Sequence, residues 1–273
     1  MGTAMIQRGD FSVRSRVLPL ESDTCAWSRM LSEIDEHARA FTVASTLLLE
    51  GEESKAMLLV TEGWLCLSKS LVDGQTQIID FALPGDIIDP SSADGLTAPI
   101  SVEAMTAASV AAIPFQRWEE LLGGHPIIRR RARAITSARQ ARRAERTLRL
   151  GKGTAETRLA YALLELCLRI GSVDICDGAV FHLPLTQQQL GDFIGLSSVH
   201  VCRTMCRMAR KKILERADQM NIRVLDAGAL ANLAGVDAAT LSREIIPRWS
   251  FEPVHGVSTD APRILPDRVA GGQ

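Results

Sequence analysis

The sequence predicts an α+β fold: an N-terminal antiparallel β-roll of the jelly-roll type, a long helix, and a C-terminal winged helix-turn-helix. Three observations support this prediction. Short β-prone runs separated by turn residues extend from Phe41 to Ile113, the apolar spacing becomes helical after Pro114, and residues 185–214 carry a helix-turn-helix pattern. A chain of 273 residues is long enough for two domains, each with its own core.

The strand predictions come from runs of β-branched and apolar residues that end at turn-forming residues. Asp73-Gly74 lies between two such runs and predicts a hairpin. Short strands linked by glycine turns are typical of a barrel or jelly roll. Residues 1–22 show no sustained period and are predicted to be a tail. The predicted strands are Thr46–Glu50, Met57–Thr61, Trp64–Ser68, Gln75–Leu83, Val102–Ala107 and Val110–Ile113.

A long helix is predicted from Pro126, which suits a first helical turn, to about Leu150. Its apolar stripe is narrow and alanine-rich, and such a seam usually packs against a twin helix, so residues 121–150 are predicted to form a homodimer. The alternative is a helix lying across its own sensor domain. A second helix, Ala155–Arg169, would begin after a Thr154 N-cap. The stripe consists of Ile128, Ala132, Ile135, Ala138 and Ala141.

Residues 185–214 carry the most specific pattern in the chain. Thr186 followed three residues later by Gln189 predicts a capping box that opens a short helix. Gly195 is expected to adopt the positive φ of a tight turn, and the small Gly191 stands where two helices touch. Ser197 is the predicted N-cap of a second helix. That helix would turn Val201, Met205 and Met208 inward, with Thr204 at a position that is usually aliphatic.

In a helix-turn-helix the second helix enters the major groove of DNA. The predicted base-contacting residues are Ser198, Val199, His200 and Arg203. The Arg203 guanidinium can donate two hydrogen bonds to guanine, and the alternative is a phosphate contact. Residues 211–226 are expected to form a two-stranded wing. The predicted phosphate-contacting residues, at helix N-termini or on the basic end of the second helix, are Thr186, Gln188, Ser197, Arg207, Lys211 and Lys212.

Charge is distributed unevenly although the net charge is −1. Residues 1–128 hold 8 Lys/Arg against 18 Asp/Glu, whereas residues 129–149 hold 9 Arg against Glu145. A basic middle indicates either a segment that faces phosphate or a solvated basic helix. The sequence contains no apolar run long enough to span a membrane and no signal-peptide pattern, so a cytoplasmic protein without membrane contact is expected.

The cysteine spacing matches no zinc site, and neither a metal nor a disulfide is predicted. Cys202 and Cys206 lie one helical turn apart beside Arg203 and Arg207, and cationic neighbours favour the thiolate. We therefore expect these thiols to be redox-sensitive, with oxidation weakening DNA binding; the alternative is that they only pack as small side chains. The six cysteines are Cys25, Cys66, Cys167, Cys176, Cys202 and Cys206.

These residues together resemble the Crp/Fnr family of bacterial transcription regulators over roughly residues 25–230. The supporting motifs are Gly51-Glu52, Phe81–Ile87, Ala155–Ala160 and Leu185–Arg203. The resemblance implies a homodimer on a palindromic promoter site, with half-sites ~34 Å apart, and contact with RNA polymerase. The implied organisation is a tail (1–22), a cyclic-nucleotide-binding-like sensor β-roll (23–120), a dimerisation helix (121–151), a winged helix-turn-helix (152–228) and a C-terminal extension (229–273).

Departures from the family pattern argue against the two best-known sensing modes. The segment from Asp86 to Ser101, where cyclic-AMP-binding members place an arginine, contains no Lys or Arg but three Asp. A cyclic phosphate would meet carboxylates that lack compensating charge, so no response to cyclic AMP is expected. Only Cys25 lies where oxygen-sensing members hold an iron–sulfur cluster, so a four-cysteine cluster is not expected. His37 is equally isolated, and a solvated or packed histidine is expected there rather than a haem ligand. No cofactor is predicted.

Two other classes of function compete with DNA binding. The first is a β-roll regulatory module whose helix-turn-helix contacts a protein, which the basic residues between Arg203 and Lys212 disfavour. The second is an enzyme, which is not predicted because the chain lacks a nucleophile elbow, a P-loop and a zinc-protease motif, and its five histidines are scattered. Beyond the wing, two short helices are predicted, Ala227–Ala234 and Ala238–Ile246, before a segment from Pro247 that is expected to be mobile.

Overall fold

The computed structural model describes residues 24–93, 95, 97–171, 178, 180–218 and 221–247. The predicted N-terminal tail and nearly all of the segment from Pro247 onward lie outside the described residues. Among the residues within these ranges, no helix combines the length and the apolar composition needed to cross a bilayer.

The N-terminal half is a β-roll of two four-stranded antiparallel sheets with strand orders β1-β8-β3-β6 and β2-β7-β4-β5. The predicted hairpin is present between β4 and β5, with Gly74 at φ +85°. The two sheets enclose an apolar core that includes Val60, Leu65, Leu67 and Val102. The strands are β1 (Ala38–Phe41), β2 (Thr46–Leu48), β3 (Ala56–Glu62), β4 (Leu65–Ser70), β5 (Thr76–Ala82), β6 (Ile87–Ile88), β7 (Ser101–Ala104) and β8 (Ala108–Pro114).

Three helices cover the outer face of the first sheet: α1 (Thr24–His37), α2 (Phe115–Gly124) and α3 (Pro126–Lys152). Because successive strand residues point to opposite faces, β3 sends Val60 into the roll and Leu59 toward these helices. Helix α1 was not predicted. Its buried residues Trp27, Met30 and Ile34 follow the i, i+3, i+7 spacing of an amphipathic helix.

Helix α3 has the predicted bounds, with Pro126 in its first turn and Gly153 at its C-cap. Its alanine-rich stripe packs within the chain, since Ile128 and Ile135 are buried against α1, α2 and the sheet and Ala138 is also buried. The stripe therefore lies across its own sensor domain, which is the alternative raised by the sequence. The reason is that α1 and the outer sheet face supply the apolar surface that the stripe needs.

The C-terminal half is built around α4 (Ala155–Gly171), an amphipathic helix whose Leu159, Leu163 and Leu166 are fully buried. The Thr154 hydroxyl accepts a hydrogen bond from Thr157 N, as expected of an N-cap. The wing is present as β10 and β11, and β9 pairs with β11 as a third strand. The elements after α4 are β9 (Val180–His182), α5 (Gln187–Ile194), α6 (Ser198–Arg210), β10 (Leu214–Asp218), β11 (Asn221–Val224), α7 (Ala227–Ala234) and α8 (Ala238–Ile245).

The two predicted helices after the wing pack back on the long helices, α7 against α4 and α8 against α3. Buried arginines of α3 donate hydrogen bonds to carbonyls at the C-terminal ends of both helices. Arg149 Nε donates to the Ala234 carbonyl at 3.0 Å, and Arg142 Nη1 donates to the Ile245 carbonyl at 3.0 Å. A cation at a helix C-terminus is favourable because the helix dipole is negative there.

Candidate nucleic-acid interface

The corner between α5 and α6 has the geometry that its sequence predicts. Gln189 N donates to the Thr186 hydroxyl at 3.1 Å while Thr186 N donates to Gln189 Oε1 at 2.8 Å, which completes the capping box. Gly195 adopts the left-handed conformation at φ +67°. A Cβ atom on Gly191 would collide with the carbonyl oxygen of Leu196, so only glycine allows this close approach.

Helix α6 buries one face and presents the other to solvent. Its N-cap Ser197 accepts a hydrogen bond from His200 N at 3.3 Å. The inward residues Val201, Met205 and Met208 are buried as predicted. Thr204 is also completely buried, and its hydroxyl donates to the His200 carbonyl at 2.8 Å. This back-bond satisfies the hydroxyl and explains how threonine is accommodated at a position that is usually aliphatic.

The outer face of α6 carries the four residues predicted to contact bases. Val199, His200 and Arg203 are exposed, with Val199 56% accessible, and Ser198 is half-buried. Arg203 forms no salt bridge with any residue in the described part of the chain. Its side chain is exposed and therefore accessible to a partner molecule.

The residues predicted to contact phosphate differ in their present contacts. Thr186, Gln188 and Ser197 are exposed at helix N-termini, where Gln188 Nε2 donates to Asp192 Oδ1 at 2.8 Å. Lys212 is exposed just beyond α6 and has φ +56°. Arg207 and Lys211 are paired with the carboxylate of Glu156, which the sequence pattern did not indicate.

Two thiols occur on the same helix. Cys202 is half-buried, Cys206 is exposed, and both are free. They stand one turn apart on α6, next in sequence to Arg203 and Arg207. An oxidant can therefore reach this helix at Cys206.

A buried charge cluster joins the β-roll to the helix-turn-helix half. Asp80 on β5 accepts a hydrogen bond from Arg139 Nε at 3.1 Å and forms an ion pair with Arg146 Nη2, also at 3.1 Å. Asp86, in the turn before β6, accepts from Arg169 at 2.6 Å and from Arg142 at 3.2 Å. The charge cluster comprises Asp80, Asp86, Glu165, Arg139, Arg142, Arg146 and Arg169.

The cluster stays ionised because its members neutralise one another. Burial on its own raises the pKa of Asp80, but the attraction of Arg146, Arg169 and Arg139 outweighs it and holds the pKa well below the usual range. The same balance lowers the pKa of Asp86. The expectation that Asp86 would be an uncompensated carboxylate was therefore wrong, since arginines distant in sequence compensate it.

The cluster also corrects both interpretations of the basic segment 129–149. Five of its nine arginines are buried, so they are neither solvated nor free to face phosphate. Four of them pair with carboxylates or carbonyls. Arg131 stacks over Trp27 at 3.8 Å, and Arg149 also stacks over Tyr161 at 4.1 Å. The exposed remainder consists of Arg129, Arg130, Arg133 and Arg143.

The helix-turn-helix also contacts the sensor directly, through strand β5 and helix α5. Phe81 on β5 packs against Phe193 on α5 with ring centroids 4.7 Å apart. The Gln77 side-chain amide donates to the Asp192 carbonyl, also on α5. The first helix of the helix-turn-helix thus rests directly on strand β5, beside the charge cluster.

Within the described part of the chain, side chains that could hold a metal ion come together at the C-terminal turn of α1. Glu33, Glu36 and His37 approach one another there. Glu33 Oε1 is already bound by Arg29 and Arg117, each at 2.7 Å, and His37 Nδ1 lies 3.0 Å from the Glu33 carbonyl. The arrangement is that of an ion-pair cluster, and His37 is a packed, half-buried histidine.

Comparison with known proteins gives matches to both halves. The model of the Crp-like helix-turn-helix domain matches residues 157–233, and that of the cyclic nucleotide-binding domain matches residues 38–125. The transcriptional activator protein FnrA of Stutzerimonas stutzeri is 30% identical over 205 residues, which cover 75% of this chain and 83% of that protein. The transcriptional activator protein anr of Pseudomonas aeruginosa is 29% identical over 226 residues, covering 83% and 91%.

Solved structures agree with these matches. FixK2 from Bradyrhizobium japonicum superposes with a TM-score of 0.63 at 26% identity, over 72% of this chain and 96% of that one. The β-roll, the long helix and the winged helix-turn-helix thus occur in the same order in similar proteins. With these matches and the exposed, arginine-bearing α6, the chain belongs to the Crp/Fnr family of DNA-binding transcription regulators.

Proposed function

We propose that the chain regulates transcription as a homodimer on a palindromic promoter site, with α6 of each subunit in the major groove. The observation that carries the proposal is the exposure of Arg203 on an α6 whose opposite face is buried by Val201, Met205 and Met208. Arg203 would donate two hydrogen bonds to a guanine, and Val199 would contact a thymine methyl group. Ser198 and His200 complete the base-contacting set.

The flanking residues would hold α6 in register on the DNA backbone. The exposed Thr186, Gln188 and Ser197 present hydroxyl and amide groups at helix N-termini, which favour anions. Arg207, Lys211 and Lys212 would supply positive charge along the other end of α6. Binding should then weaken as salt rises, because phosphate neutralisation releases counterions.

Genome-wide mapping of bound sites, followed by binding measurements on the recovered duplexes at several salt concentrations, tests this function. We expect a two-fold-related sequence and an affinity that falls steeply with salt. The competing proposal, a helix-turn-helix that contacts a protein, requires that no such salt-dependent DNA binding be found. That result would overturn the DNA-reading role of α6.

The homodimer would use a face of α3 that shares only the half-buried Ala141 with the stripe predicted from the sequence. The family dimerises, and the solvent-facing side of α3 carries a second 3–4 repeat of small residues that ends at Leu148, which is 57% exposed. Small side chains allow two helix backbones to approach closely. This seam consists of Ala134, Ser137, Ala141, Ala144 and Leu148.

Sedimentation of an Ala144→Glu variant tests the seam. A carboxylate in the middle of the contact should shift the protein toward monomer, because its twin would face it across the two-fold axis. Thr136→Glu places the same charge on another exposed side of α3 and should leave the dimer intact. An Ala144→Glu protein that sediments like the wild type would rule the seam out.

The sensor is proposed not to respond to cyclic AMP, and to need no cofactor. No cation stands in the described part of the segment from Asp86 to Ser101, and the arginines near Asp86 are bound to its carboxylate. Millimolar cyclic AMP should leave the melting temperature and the DNA affinity unchanged; an increase in either contradicts this. Contact with RNA polymerase and a cytoplasmic location are proposed because the relatives are bacterial transcription activators.

A further inference from the structure

Glu156 is the only carboxylate that contacts the cations of α6 within the described part of the chain. Its Oε2 lies 2.9 Å from Lys211 Nζ, and its Oε1 lies 3.5 Å from Arg207 Nε. The Glu156 side chain is 21% exposed, whereas the two cations are about half exposed. One carboxylate is thus shared by two of the residues proposed to contact phosphate.

The position of Glu156 in the fold explains how its carboxylate comes to lie beside these cations. It lies in the first turn of α4, after the Thr154 N-cap, where the helix dipole stabilises a negative charge. The turn that follows α6 brings Lys211 next to this helix end. By contrast, Arg203, Arg210 and Lys212 have no carboxylate partner among the described residues.

We infer that Glu156 acts as an internal competitor of the DNA phosphates for Arg207 and Lys211, and so sets the affinity for any duplex. DNA binding must break or share the two ion pairs, and a phosphate approaching α6 also meets the Glu156 charge. Base contacts by Arg203 are untouched, so Glu156 lowers affinity without changing sequence preference. The inference rests on the proposed phosphate contacts.

The test measures binding of the full-length protein to a duplex of random sequence of ~30 base pairs across a series of salt concentrations. Because phosphate contacts are independent of sequence, no operator is needed. Glu156→Gln should bind about three- to tenfold more tightly near 0.1 M salt. The logarithm of its affinity should fall more steeply with log salt, by about one for each additional phosphate that the variant neutralises.

Two controls separate this effect from a general change in charge. Glu120→Gln removes an equal charge from α2 of the sensor domain, where Glu120 pairs with Arg117, and should have no effect. In an Arg207→Gln/Lys211→Gln background, Glu156→Gln should no longer tighten binding. Comparing Glu156→Gln in the wild-type and in this background is a mutant cycle, and it assigns the tighter binding to the ion pairs of Glu156 with Arg207 and Lys211.

Each other outcome is decisive. Weaker binding by Glu156→Gln would mean that Glu156 orients Arg207 and Lys211 toward DNA, and unchanged binding would mean that it does not compete; either result overturns the inference. A wild-type protein that binds no duplex at any salt concentration would instead overturn the proposed phosphate contacts themselves.

Discussion

Helices α3 and α6 are both rich in arginine, but the structure uses their charges in opposite ways. On α3, five guanidinium groups are buried, and four of them pair with carboxylates or carbonyls, including those of the β-roll, α4 and the C-terminal helices. On α6, the arginines Arg203, Arg207 and Arg210 are exposed. The difference comes from what lies opposite each helix: α3 faces Asp80, Asp86 and Glu165, whereas the outer face of α6 meets only Glu156 among the described carboxylates.

This contrast shows that local positive charge does not by itself identify a DNA-binding surface. The segment 129–149 has the higher density of arginine, yet it forms most of the joint between the sensor and the helix-turn-helix. A buried arginine needs a partner to offset its desolvation. The same side chain on α6 keeps its hydration until DNA replaces the water.

The largest effect is expected from breaking the charge cluster at Asp80. Asp80→Asn leaves Arg139 without its carboxylate and Arg146 with Glu165 alone, and should lower the free energy of unfolding by about 3–5 kcal/mol, measured by urea denaturation. Glu62→Gln, an exposed change on β3, should stay within about 0.5 kcal/mol. Equal stability of the two variants would show that the α3 arginines do not depend on Asp80.

The pH dependence of stability tests whether the ionised Asp80 stabilises the fold. Because the folded-state pKa of Asp80 is held below its unfolded value of about 3.9, its contribution is present above that value. The contribution is lost as the pH falls through the lower folded-state pKa. Wild-type stability should therefore decline below pH ~4 more steeply than that of Asp80→Asn. Parallel curves would contradict the assignment.

On α6, Arg203→Ala should cost about 1–3 kcal/mol of binding to the mapped operator. Binding to a scrambled duplex should change far less, because the lost contact reads a base. A matched control is Arg129→Ala, an exposed arginine of α3, which should bind like the wild type. An equal loss on both duplexes would make Arg203 a phosphate contact, the alternative left open by the sequence.

A smaller effect is expected from oxidation of α6. A negative sulfur acid at Cys202 or Cys206 near the DNA backbone should weaken binding about fivefold, which corresponds to ~1 kcal/mol for a charge pair in water. Cys202→Ser should blunt the response to peroxide, whereas Cys25→Ser, on α1 of the sensor, should not. Unchanged affinity after mass spectrometry has verified oxidation at Cys202 and at Cys206 would leave the two thiols with a packing role only.

The parts of the molecule that were predictable from sequence depend on local rules. Thr186, Gly191, Gly195 and Ser197 act within a few residues of themselves, so their pattern predicts the α5–α6 corner in detail. Six of the eight strands of the β-roll follow from runs between turn residues in the same way, whereas β1 and β6 were not predicted. Helix α1 could have been predicted on the same grounds, because the spacing of its apolar residues is helical from Trp27 through Met30 to Ile34.

The contacts that could not be predicted join residues far apart in the chain. Asp80 meets Arg139 across 59 residues, and Glu156 meets Lys211 across 55. Hydrophobic periodicity identifies the buried side of a helix but not which carboxylate will face it. The apolar stripe of α3 could therefore be recognised, while its partner, α1 and the outer sheet face rather than a twin helix, required the three-dimensional structure.

The hydrogen bond from Arg142 to the Ile245 carbonyl links two residues 103 positions apart. A polypeptide emerges from the ribosome N-terminal end first, and domains generally fold in that order. Arg142 consequently leaves the ribosome, together with the completed β-roll, well before its acceptor has been synthesised. Full burial of this guanidinium, and with it the final packing of the helix-turn-helix on the sensor, therefore has to wait until α8 has been synthesised.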